Sequence, residues 1–389
     1  MPPQQLSVHD EVDLPPGTVD LRRELVPAIR EFLARGLSDS FQRACVRIGS
    51  FDAYSGGLKA SLVGGLRIDV HAVLKLGSTE LLQHVQMMNY VNGLRARTFP
   101  AVLHQQCLSD GRVFIITEQC RKHVTLLDKV YGESTTKAEF RNILDKVFDS
   151  LREMHRVTRG SAPSLAGLPT NPDPFSKRIR SKLSAILEAD SELKVMMDRP
   201  GIVLGAHCPP LAELLARTDT LCRWAARAIQ PRLVHGDPHL GNIMARRNGP
   251  AGYRVRLIDP NPEIGFSQPL YDVGKLFHWA EPVGWAKTCP RLCRAGWSVN
   301  RGTRQWSLSA CLSGASAASE RRRQWVESAV GEFSRALSAG YGSEFPRMVG
   351  VAVASAHLGL AALLADRKQK QARRFVLAHA LKHLQLVEQ

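Results

Sequence analysis

The chain has 389 residues, with 52 Lys and Arg against 36 Asp and Glu, a net charge of +16 and 44% hydrophobic residues. That length fills one two-lobed domain or two ordinary ones with ample core, and a mean hydropathy of −0.16 reads as a soluble globular protein. Eight scattered cysteines argue against a disulfide scaffold: only Cys289 and Cys293 lie close together, with no second pair or histidines at metal-ligand spacing, so reduced thiols in a cytoplasmic setting are expected.

Residues 1–43 read as an N-terminal arm. The opening MPPQQLSVHDEVDLPPG carries acids and prolines and no basic-then-apolar run, so no secretory leader is expected. An amphipathic helix follows over residues 20–35, with Leu21, Leu25, Ile29 and Leu33 near helical spacing, Pro27 bending it or marking its start, and Gly36 as its stop. From Ala44 the period becomes two: ACVRIGSF, LKASLV and DVHAVLKL are three short strands separated by SGG and GG turns, the pattern of an antiparallel meander. A helix is expected over residues 78–94, and strands at residues 99–103 and 112–118 complete a small lobe, residues 44–121.

Beyond it, residues 122–389 carry a helical period. The stripe Ile143, Val147, Leu151 and Met154 defines a helix over residues 140–158, residues 160–174 are a Ser, Gly and Pro-rich connection, and two more helices span residues 173–197 and 212–229. Later helices are expected from Asp272 and over residues 320–340, 345–365 and 371–386. The apolar stretch from Val349 to Ala365 is 17 residues long and contains Ser355 and His357, so it reads as a buried core helix and no membrane partner is expected. Between Glu281 and Glu320 there is no acid over 38 residues, while Lys287, Arg291, Arg294, Arg301 and Arg304 accumulate. Such a run either attracts polyanions, nucleic acid included, or is a solvated mobile loop.

The chemistry concentrates in residues 233–260, LVHGDPHLGNIMARRNGPAGYRVRLIDP. Transfer of a γ-phosphoryl group needs a carboxylate beside the acceptor hydroxyl and oxygen ligands holding Mg²⁺ against the nucleotide. Asp237 can supply the first, and Asn242, five positions on, together with Asp259 can supply the second. Asn248, Gly249 and Gly252 can reverse the chain between two short strands, so that Asn242 and Asp259 flank a hairpin.

HGDPHLGN followed by LIDP resembles the aminoglycoside phosphotransferase and choline kinase family of the protein-kinase-like fold, whose signature is HGDxHxxN and then a hydrophobic pair before Asp. The resemblance covers about residues 44–282 and is strongest over residues 233–272. It implies an α+β architecture of two lobes, a small antiparallel sheet with one helix and a larger helical lobe, with ATP or GTP in the cleft between them and Mg²⁺ as the metal. Asp237 would be the catalytic residue, Asn242 and Asp259 the metal ligands, and Asp272 a structural acid that caps a helix or holds the loop. Ser55, Gly56 and Gly57 fall where the fold covers the phosphates, although their sequence matches no glycine-rich phosphate motif. Lys75 has the position of the lysine that contacts the α and β phosphates, and Glu118 to Cys120 that of the adenine-gripping hinge. The glutamate that usually partners this lysine is displaced, since His84 stands where it is expected; Glu80, one turn earlier, takes the role or the lysine is held another way.

In place of the Phe-Gly of protein kinases, Asp259 is followed by Pro260-Asn261-Pro262, which fixes φ and predicts a rigid metal site without a movable switch. The resemblance thus implies a kinase acting on a hydroxyl of a small molecule. A strongly basic chain suits a neutral or anionic acceptor better than a polycationic aminoglycoside, whose site calls for carboxylates. Two other readings stand beside it, a bacterial regulatory or defence protein kinase and a non-catalytic nucleotide-binding module; His84 favours the latter. The oligomeric state is not set by the sequence.

Overall fold

The computed structural model describes residues 45–52, 57–63, 72–95, 97–108, 111–120, 122–132, 135–249, 252–300, 302–366 and 369–388. The expected helix over residues 20–35 and the loop residues Ser55 and Gly56 lie outside them. The chain divides into two units, Met1–Lys122 and His123–Gln389.

In the first unit, strands β1 (Cys45–Asp52), β2 (Gly57–Val63), β3 (Ala72–Gly77), β4 (Val102–Cys107) and β5 (Val113–Glu118) form one antiparallel sheet in the order β1-β2-β3-β5-β4. The run VFIIT of β5 is buried throughout, which suits an inner strand; β4 alternates between partly buried and exposed residues, as an edge does. Helix α1 (Glu80–Leu94) packs on the sheet, where its Leu81, Leu82 and Val85 meet Val102, Val113 and Ile115. Asn92 fastens its exit: its amide donates to the Phe99 carbonyl at 3.2 Å and accepts from the Phe99 N–H at 2.8 Å.

The second unit is a helical body with three small sheets among the described residues. After α2 (Leu126–Tyr131), helix α3 (Lys137–Arg156) opens with a capping box in which Thr136 and Glu139 satisfy each other's backbone N–H, worth about 1 kcal/mol. Its buried stripe Ile143, Val147, Leu151 and Met154 faces inward, and Phe148 stacks on Phe333 of α8 (Ala317–Arg335), ring centroids 4.5 Å apart. Burial of each such side chain contributes about 1.5–3 kcal/mol. Helices α4 (Ser176–Ala189), α5 (Leu211–Ala228), α6 (Leu270–Ala280), α7 (Gly284–Thr288), α9 (Phe345–Asp366) and α10 (Lys370–Leu384) complete the body. The most apolar window, in Gly342–Leu364, has a mean hydropathy of 1.6 and the length to cross a membrane, yet α9 is enclosed by α4, α6 and α10. Gly274 lets α6 approach closely, since a Cβ there would come 2.3 Å from the Ala352 carbonyl oxygen of α9.

Two parts of this unit depart from the sequence reading. The helix expected over residues 173–197 is α4 followed by a 3-10 stretch. Asp173 instead caps α4 by accepting from the N–H groups of Phe175 and Ser176, and Asp190 leaves helical geometry to receive Arg373 and Arg374 of α10 at 2.7–3.2 Å. The basic, acid-free run is no loop but the hairpin β14 (Cys293–Val299) and β15 (Trp306–Leu312), whose second strand pairs in parallel with β8 (Gly201–Val203), itself paired to β9 (Ala206–Cys208). Trp306 drives this: it is fully buried against Gly201, where a Cβ would meet the indole at 2.1 Å, and its N–H donates to the Arg199 carbonyl at 2.7 Å. Parallel pairing across a hundred residues leaves no local signature.

Candidate active site

Two small sheets present the candidate catalytic loop. β10 (Arg232–Leu233) pairs with β13 (Phe266–Ser267), which runs parallel to β7 (Thr170–Asn171); β11 (Ile243–Arg247) pairs with β12 (Tyr253–Leu257) and with β6 (Val124–Thr125). The loop between β10 and β11 carries His235, Gly236, Asp237, His239 and Asn242.

Asp272 holds this loop by its backbone. One carboxylate oxygen accepts from the His235 N–H and the other from the Gly236 N–H, both at 2.9 Å, and His155 Nε2 of α3 lies 2.9 Å from the first. Asp272 and His235 are fully buried. The acid lies in the first turn of α6, which starts at Leu270, so it restrains the loop rather than capping the helix. Gly236 has φ +81°, and a Cβ there would lie 2.6 Å from the Asn261 carbonyl oxygen, so only glycine fits. The Asn261 N–H in turn donates to the His235 carbonyl at 2.8 Å.

Asp237 projects from this framework with 29% of its side chain exposed, which leaves its carboxylate within reach of a ligand. Lys275 Nζ, one turn along α6 from Asp272, lies 2.8 Å from Asp237 Oδ1, and His239 Nε2 lies 3.7 Å from Oδ2. Burial pushes the Asp237 carboxyl up, but the Lys275 ammonium and His239 outweigh it and hold it below the usual carboxylate range. Burial also brings His239 down to about 4, so its imidazole is neutral near pH 7; its Nδ1 accepts from the Gly241 N–H and its ring packs on Trp279 with centroids 4.0 Å apart. A neutral His239, anchored on both sides, orders the loop beside the partly exposed Asp237 carboxylate.

Asn242 ends the loop. Its Nδ2 donates to the Asp237 carbonyl at 3.0 Å, which leaves Oδ1 as the atom to meet a cation. Its own carbonyl accepts from the Ile258 N–H at 3.0 Å, and the β11–β12 register sets Ile243 opposite Leu257. The hairpin therefore brings Asn242 beside the chain entering Asp259. Asp259 has φ +53°, a left-handed conformation that Asp tolerates better than most residues and that occurs at functional sites. An amide oxygen and a carboxylate are the ligand types a hard cation such as Mg²⁺ takes.

In the first unit, Lys75 lies on β3 between Gly57 and Ile115, and burial lowers its ammonium to about 8. The Glu80 carboxylate accepts from the Ser78 hydroxyl at 3.0 Å at the exposed start of α1. Glu118 ends β5 with its N–H donated to the Ala101 carbonyl at 2.8 Å, and Cys120 follows, partly buried.

Sequence reading missed Lys275, His155 and Trp279. A lysine three residues after Asp272 looks like any solvated helical lysine, and His155 lies 117 residues from Asp272. Arg291, Arg294 and Arg304 of the basic run are exposed, whereas Arg323, just beyond it, is 4% exposed, paired with Glu320 and Glu327, and donates to the Ala280 carbonyl at 2.7 Å.

Comparison with known proteins places this geometry. The chain resembles the structure of a protein of Ralstonia eutropha jmp134 assigned as an aminoglycoside phosphotransferase, at 15% identity and a TM-score of 0.51, over 94% of this chain and 99% of that one. It also resembles wild-type aminoglycoside 2′-phosphotransferase-IIIa, solved as its GDP complex, at 15% identity and a TM-score of 0.50, over 93% and 98%. Both likenesses show the protein-kinase-like α+β fold. No curated protein matches the chain. Residues 71–295, more than half of the chain and inclusive of every catalytic-loop residue, match the model described as the phosphotransferase enzyme family. Motif, fold and family model agree, and the chain belongs to the phosphotransferase enzyme family.

Proposed function

We propose that the protein transfers the γ-phosphoryl group of ATP to a hydroxyl of a neutral or anionic small molecule. The observation that carries this reading is the loop itself, in which Asp237, Asn242 and the approach to Asp259 are tied together by the Asn242–Asp237 and Ile258–Asn242 hydrogen bonds. Asp237 orients the acceptor hydroxyl and takes its proton; its lowered pKa keeps it ionised at neutral pH. Asn242 Oδ1 and the Asp259 carboxylate would hold Mg²⁺, which supplies neutralisation of phosphate charge when bound. By resemblance, Lys75 is assigned to the nucleotide phosphates, Gly57 to the segment that covers them and Glu118 to Cys120 to the base. Lys275 beside the catalytic carboxylate places positive charge at the point of transfer, which favours an uncharged or anionic acceptor over a polycation.

Replacement of Asp237 by Ala should lower turnover with Mg-ATP and an accepted alcohol by about 10²–10⁴-fold while nucleotide affinity is nearly unchanged. Turnover equal to the wild type rejects the assignment. Since the 2′-phosphotransferase-IIIa structure holds GDP, GTP belongs in the same assay as an alternative donor. Faster turnover of kanamycin than of neutral and phosphorylated sugars would overturn the acceptor class alone.

A further inference from the structure

A second polar constellation lies in the large unit, apart from the catalytic loop. Glu281 follows the last residue of α6, His357 lies in the middle of α9, and His383 is in the last turn of α10. One ligand atom from each falls within 4.8 Å of the other two. His383 Nε2 is 2.9 Å from Glu281 Oε2, and His357 Nε2 is 3.6 Å from the same oxygen. Glu281 is 6% exposed and His357 is fully buried.

The geometry is incomplete as a hydrogen-bonded core. At 3.6 Å His357 Nε2 makes no hydrogen bond with Glu281, and neither ring nitrogen has a partner of good geometry, although the Phe277 carbonyl lies near enough to the ring to act on it. Buried polar atoms in folded proteins are almost always satisfied, so a buried ring nitrogen that stands beside a carboxylate without bonding it calls for an occupant. His379 stands one turn before His383 on the same face of α10 and is within electrostatic reach of Glu281.

We propose that Glu281, His357 and His383 form a binding site for a divalent transition-metal ion, Zn²⁺ by preference, that ties α6, α9 and α10 together. Two imidazoles and a carboxylate are a borderline donor set: they suit Zn²⁺ or Co²⁺ and disfavour Mg²⁺, which takes oxygen ligands. With bonds of about 2.0–2.2 Å, tetrahedral ligand atoms stand about 3.3–3.6 Å apart; the two pairs to Glu281 are at 2.9 and 3.6 Å and the two histidines lie within 4.8 Å of each other. Burial holds His357 neutral down to about 3, so its lone pair is available at neutral pH. Water or His379 completes the shell. The ion here would be structural, since its ligands come from the end of α6, from α9 and from α10.

The test uses the full-length chain, stripped with chelator, kept in excess Mg²⁺ to fill oxygen-rich sites, and titrated with Co²⁺ or Zn²⁺. About one equivalent should survive dialysis, with Co²⁺ giving the visible absorption of a low-coordinate N/O site and Zn²⁺ raising Tm. Glu281→Gln and His383→Gln should each weaken retention by at least tenfold and remove the Co²⁺ band. His383 is partly exposed, so its variant keeps the test valid if Glu281→Gln does not fold. Cys289→Ser with Cys293→Ser should leave retention unchanged. Absence of a retained equivalent overturns the proposal, as does an equivalent that survives both the Glu281 and His383 changes or is lost with the cysteines.

Discussion

The catalytic loop and the Glu281 cluster lie at opposite ends of α6 and handle buried polar groups in opposite ways. At the N-terminal end, Asp272 has three partners, two of them main-chain N–H groups, and both carboxylate oxygens are used. At the C-terminal end, the Glu281 carboxylate has one bonded histidine and one that stands off, both of them side chains from other helices. The first arrangement fixes a backbone in one geometry, since any displacement strands several donors at once. The second leaves coordination capacity unfilled. Buried polar networks are rigid when satisfied and adaptable when they are not.

This contrast can be broken most directly at Asp272. Its replacement by Ala strands the His235 and Gly236 N–H groups and His155, and should cost about 3–5 kcal/mol in urea denaturation together with most of the turnover. A loss under about 1 kcal/mol would mean that the loop is held elsewhere. A smaller effect is expected for Gly236→Ala, where the left-handed φ and the Asn261 carbonyl both oppose a Cβ; about 2–3 kcal/mol should be lost, and kcat should fall even in the variant that remains folded.

Lys275→Met should cost least in stability and sharpen the comparison on the chemical side. Lys275 holds the Asp237 carboxyl low, so its removal lets that pKa rise. A base must be ionised to work, hence the acid limb of the pH–rate profile should move to higher pH, with activity lost below it and largely kept above it. A profile that stays in place would separate Lys275 from the function of Asp237.

Much of this was legible in the chain. HGDPHLGN and LIDP fix residue types at set spacing, and Asn248, Gly249 and Gly252 mark the reversal that turns that spacing into adjacency. The five-stranded sheet was legible in part, because β1–β2, β2–β3 and β4–β5 pair sequential neighbours; the β3–β5 pairing skips α1 and β4, and the strand expected at residues 99–103 falls at Val102–Cys107. What escaped depends on distance in sequence. The pairing of β15 with β8 joins residues more than a hundred positions apart, and positive charge masked the hairpin because, among its described strand residues, Cys293, Trp306 and Leu308 alone are buried. His155 and Lys275 escaped for a related reason: nothing nearby distinguishes a histidine or lysine that meets a buried acid from one that meets water.

Helix α6 functions as a ruler for the catalytic loop. Asp272, Lys275 and Trp279, at i, i+3 and i+7, share one face and span about 10 Å, and they touch respectively the loop's main chain, its carboxylate and its His239 ring. The spacing among those three loop features is thereby set by helical rise and not by the loop. One residue inserted between Asp272 and Lys275 would rotate the later two marks by about 100°, so lengthening the helix should disable the loop more completely than any single exchange along it.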